Sequence, residues 1–417
     1  MFNGCSNLKT VGKISFTNVN PTQIERTQSG KDRLMSFSEM FRGCSSLTSD
    51  IDFDSGGIAI GGLRDSFNGC KFVKNIKLPN LAHTNNNLDL IGLCAGCSSL
   101  ISIDFSRTGT FATTDKINCA YIFSGCKSLT TITEGFDPDN MPEGHTNESA
   151  YNYAFSNCQS LVPYYKLVNE NGRYCRRETY YNCKSMNIPS NVTIDFVIKY
   201  ITTTWDNYWN DTFRLDSQIT TATMNLRLSD AMKNVSADSN GYVNSFAFVA
   251  NSVFGGCNNL ETLNINIEDL KPFKFKEGIR LSNDSWNDGG EYRVVNLKKI
   301  VFNADLVENI KPNWMSFDNF MNGGKIEYIE NYPLGVISSD ISMSANFKNI
   351  TWSGKITTSY DKSYLKSAYM PQSCLDDFLM NHLGTPAENA SISLGSNKSR
   401  ASAEALAAAT AKGWTIR

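Results

Sequence analysis

Cysteine supplies the most reactive side chains of this sequence. Twelve occur in 417 residues. Eight of them, Cys5, Cys44, Cys70, Cys97, Cys126, Cys158, Cys183 and Cys257, stand in a recurring frame, Phe-x-Gly-Cys-x-x-Leu. The frame reads "MFNGCSNL" from Met1, "MFRGCSSL" from Met40, "IFSGCKSL" from Ile122 and "VFGGCNNL" from Val253. Thiols in such numbers could form disulfides, a redox pair or a metal site. A disulfide needs Cβ atoms about 3.8 Å apart with crossed vectors. Cysteines on successive rungs of a repeat lie about 4.8 Å apart with parallel vectors, so the frame is read as a column of buried thiols. Reduced thiols are also compatible with assembly in a cytoplasm. "CAGC" at Cys94 and Cys97 has the spacing of a redox pair or half a zinc site. No second such pair occurs, and Cys94 falls where other units carry an aromatic residue.

Other candidates are weaker. Asp50, Asp52 and Asp54 alternate as at the start of a calcium loop, but Ser55 stands where the loop formula wants Gly and Gly61 where it wants Glu. With Ile51 and Phe53 inward, the three carboxylates would line an exposed sheet face as an opportunistic cation site. His83, His145 and His382 sit in unrelated contexts, and no catalytic or nucleotide-binding motif accompanies them. No cofactor is expected. Paired glycosidase carboxylates leave little local signature, which keeps a carbohydrate-active enzyme as an alternative. Tyr200, Trp205, Tyr208 and Trp209 lie in a polar segment and are the candidate ligand-binding residues. Such rings either stack on sugars, anchor a protein partner or pack their own segment.

The elements that must hold these residues follow from the repeat. Intervals between the frame cysteines are 39, 26, 27, 29, 32, 25 and 74 residues, mostly near the period of a leucine-rich repeat. An apolar residue follows each cysteine by three, and alternating runs such as "LISIDF" and "LETLNINI" predict half-buried strands. Phe2, Phe41, Phe67, Phe123, Phe155, Tyr181 and Phe254 are read as an aromatic column before the cysteines. "SFSE" at Ser36–Glu39 has capping-box spacing, so a short helical turn is expected there. One coil cannot close a core alone; stacked coils bury Phe on Phe and Cys on Cys.

The organisation predicted is leucine-rich repeats over 1–190, an insertion with an aromatic-rich segment over 191–250, degenerate repeats over 251–357 and a capping region over 358–417. In the last region Leu375, Phe378, Leu379 and Leu383 share a helical face between Pro371 and Gly384. Ser402 is the expected N-cap of a second helix that ends before Gly413, with "WTI" as a final strand. The fold class is an α/β solenoid with a parallel sheet, one insertion and a helical C-terminal cap.

Lys plus Arg total 39 and Asp plus Glu 41, a formal net charge of -2 without a basic stripe, which argues against a nucleic-acid partner. No run reaches the roughly 20 apolar residues of a membrane span. No secretory signal is read at the N-terminus. Met1 aligns with Met40, so the first coil is uncapped, and an oligomer through that end is one expectation.

The recurring "MFxGCSSLxxI" unit and the ending "AAATAKGWTI" resemble the BspA-like branch of bacterial leucine-rich repeat proteins. The resemblance covers 1–190 and 251–357 well, and 191–250 poorly. It implies a curved solenoid, and surface-exposed binding proteins or phage virion components as relatives in function. The chain thus reads as a non-enzymatic recognition or structural protein, foremost a phage virion fibre or decoration that engages a host protein or glycan. Neighbouring virion proteins are further partners, the place is a virion or cell surface, and a bacterial cell-surface adhesin is the alternative.

Overall fold

The computed structural model of the protein describes residues 1–16, 35–56, 60–81, 87–107, 116–133, 136, 151–164, 178–198, 212–228, 242–243, 248–251, 253–268, 274–275, 279–282, 296–303, 315–318, 325–335, 345–386 and 390–417. The chain divides into two compact units. The first holds Met1–Asn169, Arg173–Ile188 and Asp211–Asp216, and the second holds the remainder.

The first unit is a stack of coils. Five strands, Ile14–Ser15, Ile51–Asp54, Asn75–Lys77, Ser102–Asp104 and Thr131–Ile132, form a parallel sheet in that order. Ile51 pairs in register with Ile76, Ile76 with Ile103, and Ile103 with Ile132. All four are buried, so the alternation read from the sequence sends one apolar row inward. A second parallel sheet of four short strands, Met35–Ser36, Ile60–Gly62, Asn87–Asp89 and Lys116–Asn118, runs through the same coils. The remaining side of each coil is a tight turn around the aromatic residue.

That turn departs from expectation. Ser36–Glu39 starts no helix: Glu39 has φ 58°, and the Phe37 amide donates to the Gly62 carbonyl of the next coil at 3.0 Å. A helix would keep such amides within its own coil; here they tie rung to rung. The Phe41 amide reaches Ser66 O at 2.8 Å, Phe67 reaches Leu93 O at 2.9 Å and Phe123 reaches Ala154 O at 3.0 Å. Two left-handed residues bracket each aromatic position. The first falls at Glu39, Asp65, Gly92, Tyr121, Tyr153 and Glu178, the second at Gly43, Gly69, Gly96, Gly125, Asn157 and Asn182. Glycine suits the second position because a side chain at φ 77° is strained there. A Cβ on Gly125 would rest in ordinary contact, 3.5 Å from the Gly96 Cα.

Aromatic rings stack through the interior. Centroids lie 5.3 Å apart for Phe2–Phe41, 5.8 Å for Phe41–Phe67, 5.9 Å for Phe123–Phe155 and 6.2 Å for Phe155–Tyr180. The residue in the column is Tyr180 rather than Tyr181. Tyr180 is fully buried, whereas Tyr181 is half-exposed under the Arg214 guanidinium at 5.4 Å. Burying one such ring contributes about 1.5–3 kcal/mol, which recurs at each level that carries a ring.

The stack continues where the sequence pattern breaks. Phe213 lies 5.2 Å from Tyr180, and the Tyr180 and Asn182 amides donate to Thr212 O at 3.0 Å and Arg214 O at 3.1 Å. Thr212–Asp216 is therefore a further turn of the same kind. In it Leu215 takes the left-handed position, with φ 68°, and Asp216 the cysteine position.

The second unit is built on a six-stranded parallel sheet. Its order is Asn191–Ile198, Thr221–Leu228, Thr262–Glu268, Lys299–Phe302, Tyr328–Pro333 and Asn349–Ser353. The first two strands fall within 191–250, which the sequence pattern places in an insertion; eight residue pairs in register make them rungs of the sheet instead. Their inward residues, among them Val192, Ile194, Ala222, Met224 and Leu226, are buried. Phe254, Cys257 and Leu260 repeat the buried triad of the frame in this unit.

Past the last strand, helices replace the turns. Gln372–Asn381 buries Cys374, Leu375, Phe378 and Leu379 and starts after Pro371. Ala403–Ala411 is N-capped by Ser402, whose hydroxyl accepts from the Ala405 amide at 3.1 Å. It packs through the small residues Ala405 and Ala409, while Glu404 and Lys412 remain exposed. Thr415–Ile416 then pairs in parallel with Ser391–Ile392, and Gly413 turns the chain at φ 94°.

Candidate functional site

The thiols are structural. Every cysteine of the described residues is unbridged, and all but Cys5 are buried. In the column from Cys44 to Cys183 each Sγ donates to a carbonyl of the preceding coil. Cys70 reaches Phe41 O at 3.1 Å, Cys97 reaches Phe67 O at 3.0 Å, Cys126 reaches Cys94 O at 3.0 Å and Cys158 reaches Phe123 O at 3.1 Å. Burial pushes the Cys70, Cys126, Cys158 and Cys183 thiols well above their ordinary pKa, because a thiolate cannot be solvated there. Thiols so held are poor nucleophiles and poor redox partners. The "CAGC" pair follows the same rule: Cys94 and Cys97 are both fully buried, and burial raises Cys94 strongly. Cys94 simply takes the place of a ring.

Asp216 is the exception in the column. It is 3% exposed, and its Oδ2 has no hydrogen-bond partner among the described residues. Burial raises its pKa well above the usual carboxylate range. A neutral carboxyl is the form that can occupy a thiol's place.

The candidate cation ligands have other partners. Asp50 accepts from the Asn75 side chain at 3.0 Å, Asp52 pairs with Arg107 at 2.5 Å, and Asp54 pairs with Lys13 at 3.1 Å and accepts from the Gly56 amide. They stand on the Ile51–Asp54 strand and its approach, facing outward as expected, yet they do not converge. Among the described residues no group of three His, Cys, Asp or Glu side chains is placed to hold a metal ion. His382 bonds through Nδ1 to the Gly354 carbonyl at 2.8 Å and lies 3.4 Å from Asp377. His83, His145, Tyr200, Trp205, Tyr208 and Trp209 lie outside the described residues.

What the two units offer to a partner is the outer face of each sheet, where side chains are held across rungs. In the first unit Asn75 bridges Asp50 and Ser102, with Ser102 Oγ donating to Asn75 at 2.8 Å. Lys77 pairs with Asp104 at 3.2 Å. Burial alone would raise Asp104, but hydrogen bonds from Ser106, Thr133 and Lys77 outweigh it and hold the carboxyl well below the usual range. In the second unit Asn266 donates to Asn225 at 2.9 Å and Asn264 to Thr223 at 3.2 Å. Ion pairs follow in later rungs, Lys299–Glu330 at 2.6 Å and Lys348–Glu327 at 2.8 Å, beside the exposed ring of Tyr328. These faces are polar and carry side-chain bonds from rung to rung.

One exposed feature carries no signal in the repeat frame. Tyr121 and Tyr153 occupy the first left-handed position of successive coils and stack at 4.5 Å with an interplanar angle of 9°. Sequence spacing from the cysteines, five residues in both coils, is the clue that could have paired them.

No protein-family model matches the chain, and no curated protein matches it. Two solved structures are similar over most of their length. A leucine-rich repeat protein from Bacteroides ovatus shares 14% identity at a TM-score of 0.34, covering 77% of this chain and 81% of that one. An internalin from Listeria monocytogenes shares 10% identity at a TM-score of 0.20, covering 91% and 82%. The assignment as a leucine-rich-repeat-like solenoid rests on the rung register and the columns described above.

Proposed function

We propose that the chain is a non-enzymatic recognition module, displayed as a fibre or decoration component of a phage virion and engaging a protein or glycan on the host surface. The observation that carries this reading is the pair of outward sheet faces whose polar side chains bond from rung to rung. Groups already ordered lose little further entropy on binding, so they favour recognition. The unbridged thiol column supports folding in a reducing compartment, where virion proteins are assembled.

The test is a binding screen of the intact chain against whole bacterial cells and purified glycans, with product analysis by mass spectrometry. Saturable binding without turnover is expected. Cleavage of any glycan on the panel overturns the non-enzymatic reading. The gene neighbourhood tests the display site: virion genes are expected on both sides, and a secretory signal or lipobox joined upstream in frame overturns virion display.

A further inference from the structure

We infer that the turn edge of the first unit carries a site for a neutral pyranose ring, formed by Tyr121 with Asp65 and Asn68. The inference rests on the recognition reading above and assigns it a place and a ligand class.

The site arises from one column. The first left-handed position reads Glu39, Asp65, Gly92, Tyr121, Tyr153, Glu178 along the stack. Successive members are joined by rung hydrogen bonds: Asp65 N to Ile91 O, Gly92 N to Ala120 O and Tyr121 N to Asn152 O, each 2.8 Å. Tyr121 and Tyr153 lie face to face at 4.5 Å, close to the rung spacing of about 4.8 Å. Their ring normals therefore run along the stack, and the second face of Tyr121 looks toward the rung of Gly92. That rung has no side chain. Tyr121 is 42% exposed.

Polar groups border this open face. The Asp65 side chain fills the inner part of that rung: a Cβ on Gly92 would overlap its Oδ1 and lie 3.5 Å from Asn68 Nδ2. Asn68 Nδ2 donates to Asp65 Oδ1 at 2.8 Å, which fixes the carboxylate. An apolar ring face flanked by an oriented carboxylate and an amide suits a sugar, which offers C–H groups on one face and hydroxyls at its edge.

Charge selects among sugars. Asp65 and Asp89 both lie near Arg64, at 3.8 Å and 3.5 Å. Arg64 is thus shared between two carboxylates, and an acidic sugar would be repelled. Elsewhere exposed tyrosines are covered by the chain's own cations: Arg214 over Tyr181, Lys348 over Tyr328 and Arg400 over Tyr369. Among the described residues Tyr121 takes no cation on its open face.

The experiment is an array of neutral and sialylated oligosaccharides, with titration of the best neutral ligand against wild type, Tyr121→Gly and Asp65→Asn. Glycine keeps the left-handed backbone, and an unchanged melting temperature confirms the fold. Expected is binding of neutral pyranosides that falls at least about tenfold in Tyr121→Gly and weakens in Asp65→Asn, with sialylated ligands excluded. Unchanged affinity in Tyr121→Gly, or preference for sialylated ligands, overturns the site. Binding of cells by wild type and Tyr121→Gly alike, with no glycan bound, overturns the site but leaves the recognition reading standing. Failure to bind either cells or glycans removes both.

Discussion

At Asp216 a carboxyl stands where Cys44, Cys70, Cys97, Cys126, Cys158 and Cys183 place a thiol. Its burial raises the folded-state pKa, so between the ordinary carboxyl value near 4 and that raised value the folded chain binds a proton the unfolded chain has lost. Stability from this group is therefore complete below that window and declines as pH rises through it. The Cys183 thiol of the preceding coil is the titratable group set against it. Urea midpoints measured from pH 4 to 9 should diverge between wild type and Asp216→Asn, the wild type falling further with pH; parallel curves would contradict a buried neutral carboxyl. Asp216→Cys should restore the column and raise stability by about 1–3 kcal/mol at neutral pH, the typical cost of a buried unsatisfied polar group. At this scale the sequence was legible wherever the frame held. The column residue is Tyr180, three before Cys183 as Phe155 is three before Cys158, and not Tyr181; the Thr212–Asp216 turn stayed hidden because Leu215 and Asp216 replace the Gly-Cys or Asn-Cys pair that marks the others.

Turns and strands make a different demand. The left-handed position before each cysteine accepts Gly or Asn without much strain, but Leu215 adopts φ 68° against its own Cβ. Leu215→Asn should raise stability by about 1 kcal/mol, read as a shift in urea midpoint. Gly125→Ala should lower it by about 1–2 kcal/mol, the cost of a Cβ at φ 77°. Phe123 packs against Phe105, Phe136 and Phe155, so Phe123→Ala should cost about 3–5 kcal/mol. Phe2, half-buried and stacked on Phe41 alone among the rings, should cost much less when truncated. Strands were well foretold by alternation, as at Ser102–Asp104 and Thr262–Glu268. The helical turn at Ser36–Glu39 was not, because local capping chemistry is outweighed by amides that bond across coils. Within 191–250 the alternation of "TIDFVI" from Thr193 reads as a strand in the sequence too, and Thr221–Leu228 pairs with it in register without the cysteine frame, because pairing follows alternation.

Across the molecule, a coil is stable only through its neighbours, and the columns make that dependence concrete. Rings and thiols line up because alternate turn amides, such as those of Glu39, Phe41 and Gly43, are committed to the next rung, leaving the strand faces and the turn edge to meet partners. This division explains why the fold was largely readable from the sequence and the binding surface was not: interior positions repeat their residue type, whereas outer positions such as Tyr121, Asp65 and Asn225 are free to vary from coil to coil. The stacked interior is tested most directly by pulse alkylation under increasing urea, with each cysteine quantified by peptide mapping. Exposed Cys5 should label at once in native buffer, while Cys70, Cys97, Cys126 and Cys158 should stay unmodified and then become reactive together at one urea concentration. Labelling of these four at the native rate of Cys5, or their recovery as disulfides, would contradict the shared interior.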